Sequence, residues 1–132
     1  METTFDRTPP VPLAAVHLSL PPSAVHLRVA RVTAAAVAVR LGFREAELAD
    51  VSVAVNELTS ALMQAGPTSD IALEFSRESD RFTAEGDATV EVQTRLSDVA
   101  QEILDLVVDG FEMSQVDDHA HFRAVKRSSP QA

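Results

Sequence analysis

The chain has 132 residues, of which 45% are hydrophobic, a size and composition that suit one folded domain and exclude wholesale disorder. Its 11 basic and 20 acidic residues give a net charge of −9, which argues against nucleic acid as a partner because phosphates require a basic surface. Cysteine is absent, which excludes disulfides, thiolate chemistry and the usual structural zinc sites.

The two ends of the chain are polar and differ in composition from the centre. No uncharged apolar run approaches the roughly 18 residues of a membrane span. The start, METTFDRTPP, lacks the basic and apolar blocks of a secretory signal, so we expect a cytoplasmic protein with no membrane association. We predict a flexible arm at residues 1–12, a single domain at 13–126 and a flexible tail at 127–132.

The first predicted elements are a strand and a helix. Apolar residues alternate with His17 and Ser19 in the predicted strand, which Pro21-Pro22 ends. Ser23 is the expected cap of a helix that runs to about Leu41, and Gly42 is placed to end that helix in a left-handed turn. The buried stripe of this helix is predicted to consist of Val25, Val29, Val32 and Ala36.

A second helix is predicted between Leu48 and Gly66. Its apolar residues recur at spacings of three and four, which draws one continuous buried stripe: Leu48, Val51, Val55, Leu58 and Leu62. Glu57 lies beside this stripe, and Ala61 follows one helical turn later on the same face. The pair Gly66-Pro67 closes the helix.

The remaining elements are a hairpin, a helix and a second hairpin. Strict alternation around Leu73 and again around Phe82 predicts two strands joined by a polar turn at 77–80, whereas 86–94 is ambiguous. Helical spacing returns after it, with Ser97 or Thr94 as cap, and Gly110 is expected to end that helix. The stripe of this third helix contains Leu96, Val99, Ile103 and Leu106. A final antiparallel pair is predicted to turn at Asp117-Asp118.

The predicted order is strand, helix, helix, strand, strand, helix, strand, strand. This order favours the α+β class, with a mostly antiparallel sheet and about three helices on one face in a two-layer sandwich.

The four histidines provide a candidate for metal binding or acid–base chemistry. His119 and His121 alternate with apolar residues and are expected to share the outward face of a strand. Two such histidines can hold a metal loosely, but no third ligand is near in sequence, so solvated surface is the favoured interpretation.

Two segments carry a resemblance to a known family. The run LRVARVTAAAVAVRLGF from Leu27, followed by ELADVSVAVNELTSALMQAG, resembles the opening of the histidine-kinase-like (GHKL) ATPase fold. More narrowly, it is similar to the serine-kinase anti-sigma factors of bacteria and their regulatory relatives. In that family a Glu polarises the attacking nucleophile, and an Asn four residues later holds the nucleotide's magnesium. The resemblance places Glu57 at the first position, as a vestigial catalytic candidate, and Ala61 at the second, where no metal ligand remains.

The family's other nucleotide motifs are weak or missing. Its Asp-x-Gly-x-Gly loop corresponds to FTAEGDATV, where Gly86 and Asp87 are weak cofactor-binding candidates and a surface turn is the favoured interpretation. No glycine occurs between Ala88 and Ser97 to wrap phosphates. We therefore expect no metal and no cofactor, since ATP and magnesium belong only to an active kinase.

Three functions remain open from the sequence. The resemblance favours a degenerate regulatory module that binds a sigma factor or an anti-sigma antagonist without ATP hydrolysis, with Arg28 and Arg31 as partner-binding candidates and a homodimer as a possible state. The alternative within the family is an active ATP-dependent serine kinase with divergent nucleotide motifs. A third possibility is a small domain that binds an apolar metabolite. Glu57 is equally consistent with a vestigial pocket and with an ordinary, partly exposed helix position.

Overall fold

The structure is a computed structural model that describes residues 15–128. The predicted arm at residues 1–12 lies outside the described residues. Eight elements follow the predicted order: β1 (Val16–Leu20), α1 (Leu27–Val39), α2 (Glu45–Gln64), β2 (Ile71–Glu78), β3 (Arg81–Thr89), α3 (Asp98–Val107), β4 (Gly110–Val116) and β5 (His119–Arg127). A short 3₁₀ turn, Ala24–His26, leads into α1. None of the helices in this part of the chain is long and apolar enough to cross a membrane.

The strands form one antiparallel sheet of five strands in the order β1-β2-β3-β5-β4. The helices cover one face, with α2 in the centre against β3 and β5 and in contact with α1 on one side and α3 on the other. The predicted two-layer α+β sandwich is confirmed. The opposite face of the sheet carries no second layer within the described residues, and charged side chains such as Glu85, Asp87 and Arg123 lie there.

The core lies between α2 and the inner face of the sheet. Val51, Val55, Leu58 and Leu62 of α2 are fully buried, which confirms the predicted stripe, and Leu48 packs at its margin. The sheet contributes Ile71, Leu73, Phe75, Phe82, Ala84, Ala88, Ala120, Phe122 and Ala124. Alternation along each strand sends these residues toward the helices and their neighbours to the other face.

The predicted buried stripe of α1 is wrong. Ala30, Ala34 and Ala38 are the buried residues of α1, whereas the predicted valines and Ala36 are exposed. Small side chains at a helix–helix contact let the two axes approach closely, so alanine is well suited to the face that meets α2. Because α1 is apolar on nearly every side, its valines are left facing outward.

The third helix also differs from its prediction. Ala100 and Leu104 are its buried residues, Leu96 and Ile103 are half-buried, and Val99 and Leu106 are exposed. Ser97 is confirmed as the cap, because its Oγ accepts a hydrogen bond of 3.0 Å from the Ala100 amide. Gly110 does not end the helix, which stops at Val107; Gly110 is the first residue of β4.

Gly42 forms the predicted left-handed turn after α1. The helix itself ends at Val39, two residues before the predicted end at about Leu41. Gly42 has φ +82°, and the amide of Phe43 donates to the Ala38 carbonyl across the left-handed turn. Ser23 precedes the 3₁₀ turn but its side chain makes no capping hydrogen bond. The predicted turn at Asp117-Asp118 is confirmed between β4 and β5.

The last strand reaches the boundary predicted at residue 127. Arg127 is the last residue of β5, and its amide donates to Asp109 Oδ2 at 2.6 Å. Ser128 donates its amide to the Asp80 carbonyl, while 129–132 lie outside the described residues. β5 therefore includes the first residue of the predicted tail.

Candidate functional site

Glu57 and Ala61 lie on the side of α2 that faces the start of α3. Together with Ser60 and Gln64 of α2 they line a cavity of about 80 Å³. The other wall comes from the segment that leads into α3 and its first turn: Arg95, Leu96, Ser97 and Ala100. Glu57 and Ala61 therefore lie on one helix face, as predicted, but the cavity that they line is small.

The residues at this cavity do not fit a magnesium–nucleotide complex. Magnesium requires near-octahedral oxygen ligands, and the buried methyl group of Ala61 supplies none at the family's ligand position. Sites for ligands of nucleotide size enclose roughly 300–1,000 Å³, several times the volume found beside Glu57. We therefore assign no step of any reaction to this cavity.

Asn56 does not replace the missing amide. Its Oδ1 accepts a hydrogen bond of 2.8 Å from Arg31 Nη1, which ties α2 to α1. Both residues line a separate groove between the two helices, together with Ser52, Val53 and Glu57. The amide at position 56 is thus part of a helix–helix contact, on the other side of Glu57 from the small cavity.

Gly86 and Asp87 lie in the middle of β3, so the surface turn predicted there is wrong. Gly86 faces the core, where a Cβ would lie 2.3 Å from Phe122 Cε2 and 2.9 Å from Leu73 Cδ2. Asp87 points to the opposite face of the sheet, away from the helices. The three weak cofactor candidates, Glu57, Gly86 and Asp87, are therefore not brought together.

Asp87 instead joins the two histidines of β5. Its Oδ1 lies 3.1 Å from both His119 Nε2 and His121 Nδ1, and His121 Nε2 lies 3.3 Å from Glu85 Oε1. This confirms that the histidines share the outward face, and it adds carboxylate partners that only the β3–β5 register reveals. Over residues 15–128, no group of three His, Cys, Asp or Glu residues is arranged to hold a metal ion.

The feature that the sequence prediction missed is the outward face of α1. Four apolar residues of α1 and Val25 of the preceding 3₁₀ turn form this surface, which we call the valine face: Val25, Val29, Val32, Ala36 and Val39. Val25 is 76% exposed and Val32 is 58% exposed. The partner-binding candidate Arg28 is exposed at one border of this face and Arg40 at the other, whereas Arg31 is half-buried and bonded to Asn56. Helical projection at 100° per residue is the signal that separates the two faces of α1.

Comparison with protein-family models and with curated proteins gives no match for this chain. The resemblance to anti-sigma factors therefore depends on the residues of α1 and α2 alone.

Proposed function

We propose that this chain is a regulatory protein-binding module of the anti-sigma type, which controls transcription by binding a sigma factor or an anti-sigma antagonist without hydrolysing ATP. The observation that carries the proposal is the valine face, because contiguous exposed apolar surface in a folded domain marks a site of protein interaction. An amphipathic helix at this position would have been expected to turn charged residues outward.

The state of the Glu57 cavity supports the same proposal. Phosphoryl transfer depends on positioned magnesium and on groups that surround the phosphates. Position 61 offers a methyl group, Asn56 is bonded to Arg31, and Gly86 is packed under Phe122. A domain with these residues therefore works by binding other proteins at its surface. Arg28 is an exposed cation at the border of the valine face, where it can fix the orientation of a partner.

Binding is tested with purified sigma factors and candidate antagonists from the organism that encodes the chain, with no nucleotide added. We expect one of them to bind, as measured by biolayer interferometry, and to change transcription in a reconstituted assay. Val32→Glu is expected to weaken that binding by at least about tenfold, because it places a charge within the apolar contact.

Val116→Glu is the matched control. Val116 is 73% exposed but lies on β4, away from the helices, so the same substitution there leaves the affinity unchanged. Equal loss in both variants would contradict a role for the valine face, and absence of binding to every candidate would overturn the proposed function. Phosphorylation of a bound partner after addition of magnesium and ATP would establish the serine-kinase alternative instead.

A further inference from the structure

The helix α3 also exposes an apolar stripe. The charged residues of α3 are acidic, whereas those of α1 are basic. In α3, Leu106 is 84% exposed and Val99 is 65% exposed. Together with the half-buried Ile103 they follow the spacing 4-3 within α3, and the α1 part of the valine face, from Val29 to Val39, follows 3-4-3. These are the spacings of helices that pack together along a seam, as in coiled coils.

The charges that border the two stripes are complementary. The 27–40 segment carries Arg28, Arg31 and Arg40 and no acidic residue. The α3 helix carries exposed Asp98, Glu102 and Asp105 and no basic residue, and Arg95 lies three residues before it. In paired helices the charges beside the seam determine which helices associate. Contact between α1 and the α1 of another copy would bring arginines together, and contact between two α3 helices would bring carboxylates together.

We propose that a second copy of this chain covers the valine face, with α1 of each protomer packed on α3 of the other. This goes beyond the proposed function and stands without it, because it requires no other protein. The contact is reciprocal, as a two-fold symmetric interface demands.

The order of the helices fits this symmetry. Because α2 contacts both α1 and α3, a two-fold axis near α2 places each α1 beside the partner's α3. The same axis brings the two α2 helices together. Between its two ends, where Glu45 and Gln64 are exposed, α2 exposes only small side chains, namely Ala46, Ala49 and Val53. Small side chains at the axis allow the two helix layers to approach closely.

The first test is the mass of the purified full-length chain in solution. Multi-angle light scattering after size exclusion is expected to give twice the 14.2 kDa of one chain at micromolar concentration. Val32→Glu and Leu106→Glu are each expected to give the single-chain mass, and Val116→Glu is expected to stay paired. Circular dichroism of each variant separates loss of pairing from loss of folding.

The second test exchanges charges between the two stripes. One variant carries Arg28→Glu and Arg40→Glu; the other carries Glu102→Lys and Asp105→Lys. Arg31 is retained because it holds Asn56, and Asp98 because negative charge favours the first turn of α3. Like charges then meet at both contacts of each homodimer, so each variant alone is expected to self-associate at least about tenfold more weakly.

An equimolar mixture of the two variants gives the decisive result. In the mixed dimer one contact pairs Glu with Lys and the other pairs the native Arg with the native acids, so pairing is expected to return. Native mass spectrometry of the mixture should show the 1:1 heterodimer as the main species.

Two outcomes would overturn the inference. A wild-type chain that remains monomeric at high concentration excludes a second copy; if that monomer co-sediments with phosphatidylglycerol vesicles, a lipid surface covers the valine face instead. A wild-type dimer whose charge variants fail to form the mixed dimer places the interface elsewhere. Neither outcome involves a sigma factor, so failure here is distinguishable from failure of the proposed function.

Discussion

The ring of Phe122 occupies the space that a side chain at position 86 would need. A Cβ built on Gly86 lies 2.3 Å from Phe122 Cε2, far inside van der Waals contact. The two residues face each other in the β3–β5 register, with Leu73 of β2 on the other side of Gly86. The glycine that the family resemblance assigned to a nucleotide loop therefore has a packing role in the sheet.

Gly86→Ala is expected to destabilise the protein. The added methyl group overpacks a core position where Phe122 and Leu73 are both buried, and such overpacking costs about 1–3 kcal/mol. Urea denaturation monitored by circular dichroism measures the change. A second variant, Gly86→Ala with Phe122→Leu, should recover part of the loss because the smaller side chain makes room. Wild-type stability in the single variant would contradict this packing role.

The bond between Arg31 and Asn56 is expected to contribute to the stability of the helix layer. It is 2.8 Å long, partly buried, and joins α1 to α2, and hydrogen bonds to charged groups contribute about 1.5–3 kcal/mol. A double-mutant cycle of Arg31→Ala and Asn56→Ala measured by urea denaturation should give a coupling energy of about 1–2 kcal/mol. The exposed Arg28 is the control: its cycle with Asn56→Ala should show no coupling.

Replacement of Thr59 by valine is expected to stabilise the protein. Thr59 is 0% exposed, and its Oγ1 has no hydrogen-bond partner. Because burial of an unpaired hydroxyl group is unfavourable, Thr59→Val should raise the free energy of unfolding by about 1 kcal/mol. Thr59→Ser is the matched control, since it keeps the hydroxyl and loses the methyl group, and it should lower the melting temperature. A drop in stability for Thr59→Val would mean that the hydroxyl is satisfied.

Magnesium and ATP are expected to leave the melting temperature unchanged. A ligand present at a hundredfold excess over its Kd would stabilise the folded chain by about 2.7 kcal/mol, which a thermal-shift assay detects easily. Ala61→Asn alone should also give no shift, because the cavity beside Glu57 remains too small for a nucleotide. A shift in the wild type that Glu57→Ala abolishes would contradict this expectation and favour the kinase alternative.

The sequence was sufficient to predict those elements in which the apolar residues follow a single periodicity. In α2 a single set of positions is strongly apolar, so Val51 and Leu58 could be assigned to the core without ambiguity. The strands around Leu73 and Phe122 alternate cleanly, and their hairpin turns carry polar residues. These patterns, together with the order of elements, were sufficient for the two-layer sandwich.

Prediction failed in α1 because its composition does not distinguish one side from another. Apolar residues occupy almost every position from Leu27 to Val39, so spacing alone permits both a valine face and an alanine face toward α2. Hydrophobicity favours burial of the larger valines, whereas close helix packing favours alanine. The structure follows the second requirement. The pairing of Asp87 with His119 was equally inaccessible, since it depends on the register of strands far apart in the sequence.

The valine face is one surface, and two proteins cannot occupy it together. If a second copy and a regulatory target both bind to it, the homodimer must dissociate before either protomer can bind the target. By mass action, at high concentration the concentration of monomer then rises only with about the square root of the total concentration of the protein. A cell with such a protein would have a buffered regulator, whose active fraction is largest when the protein is scarce.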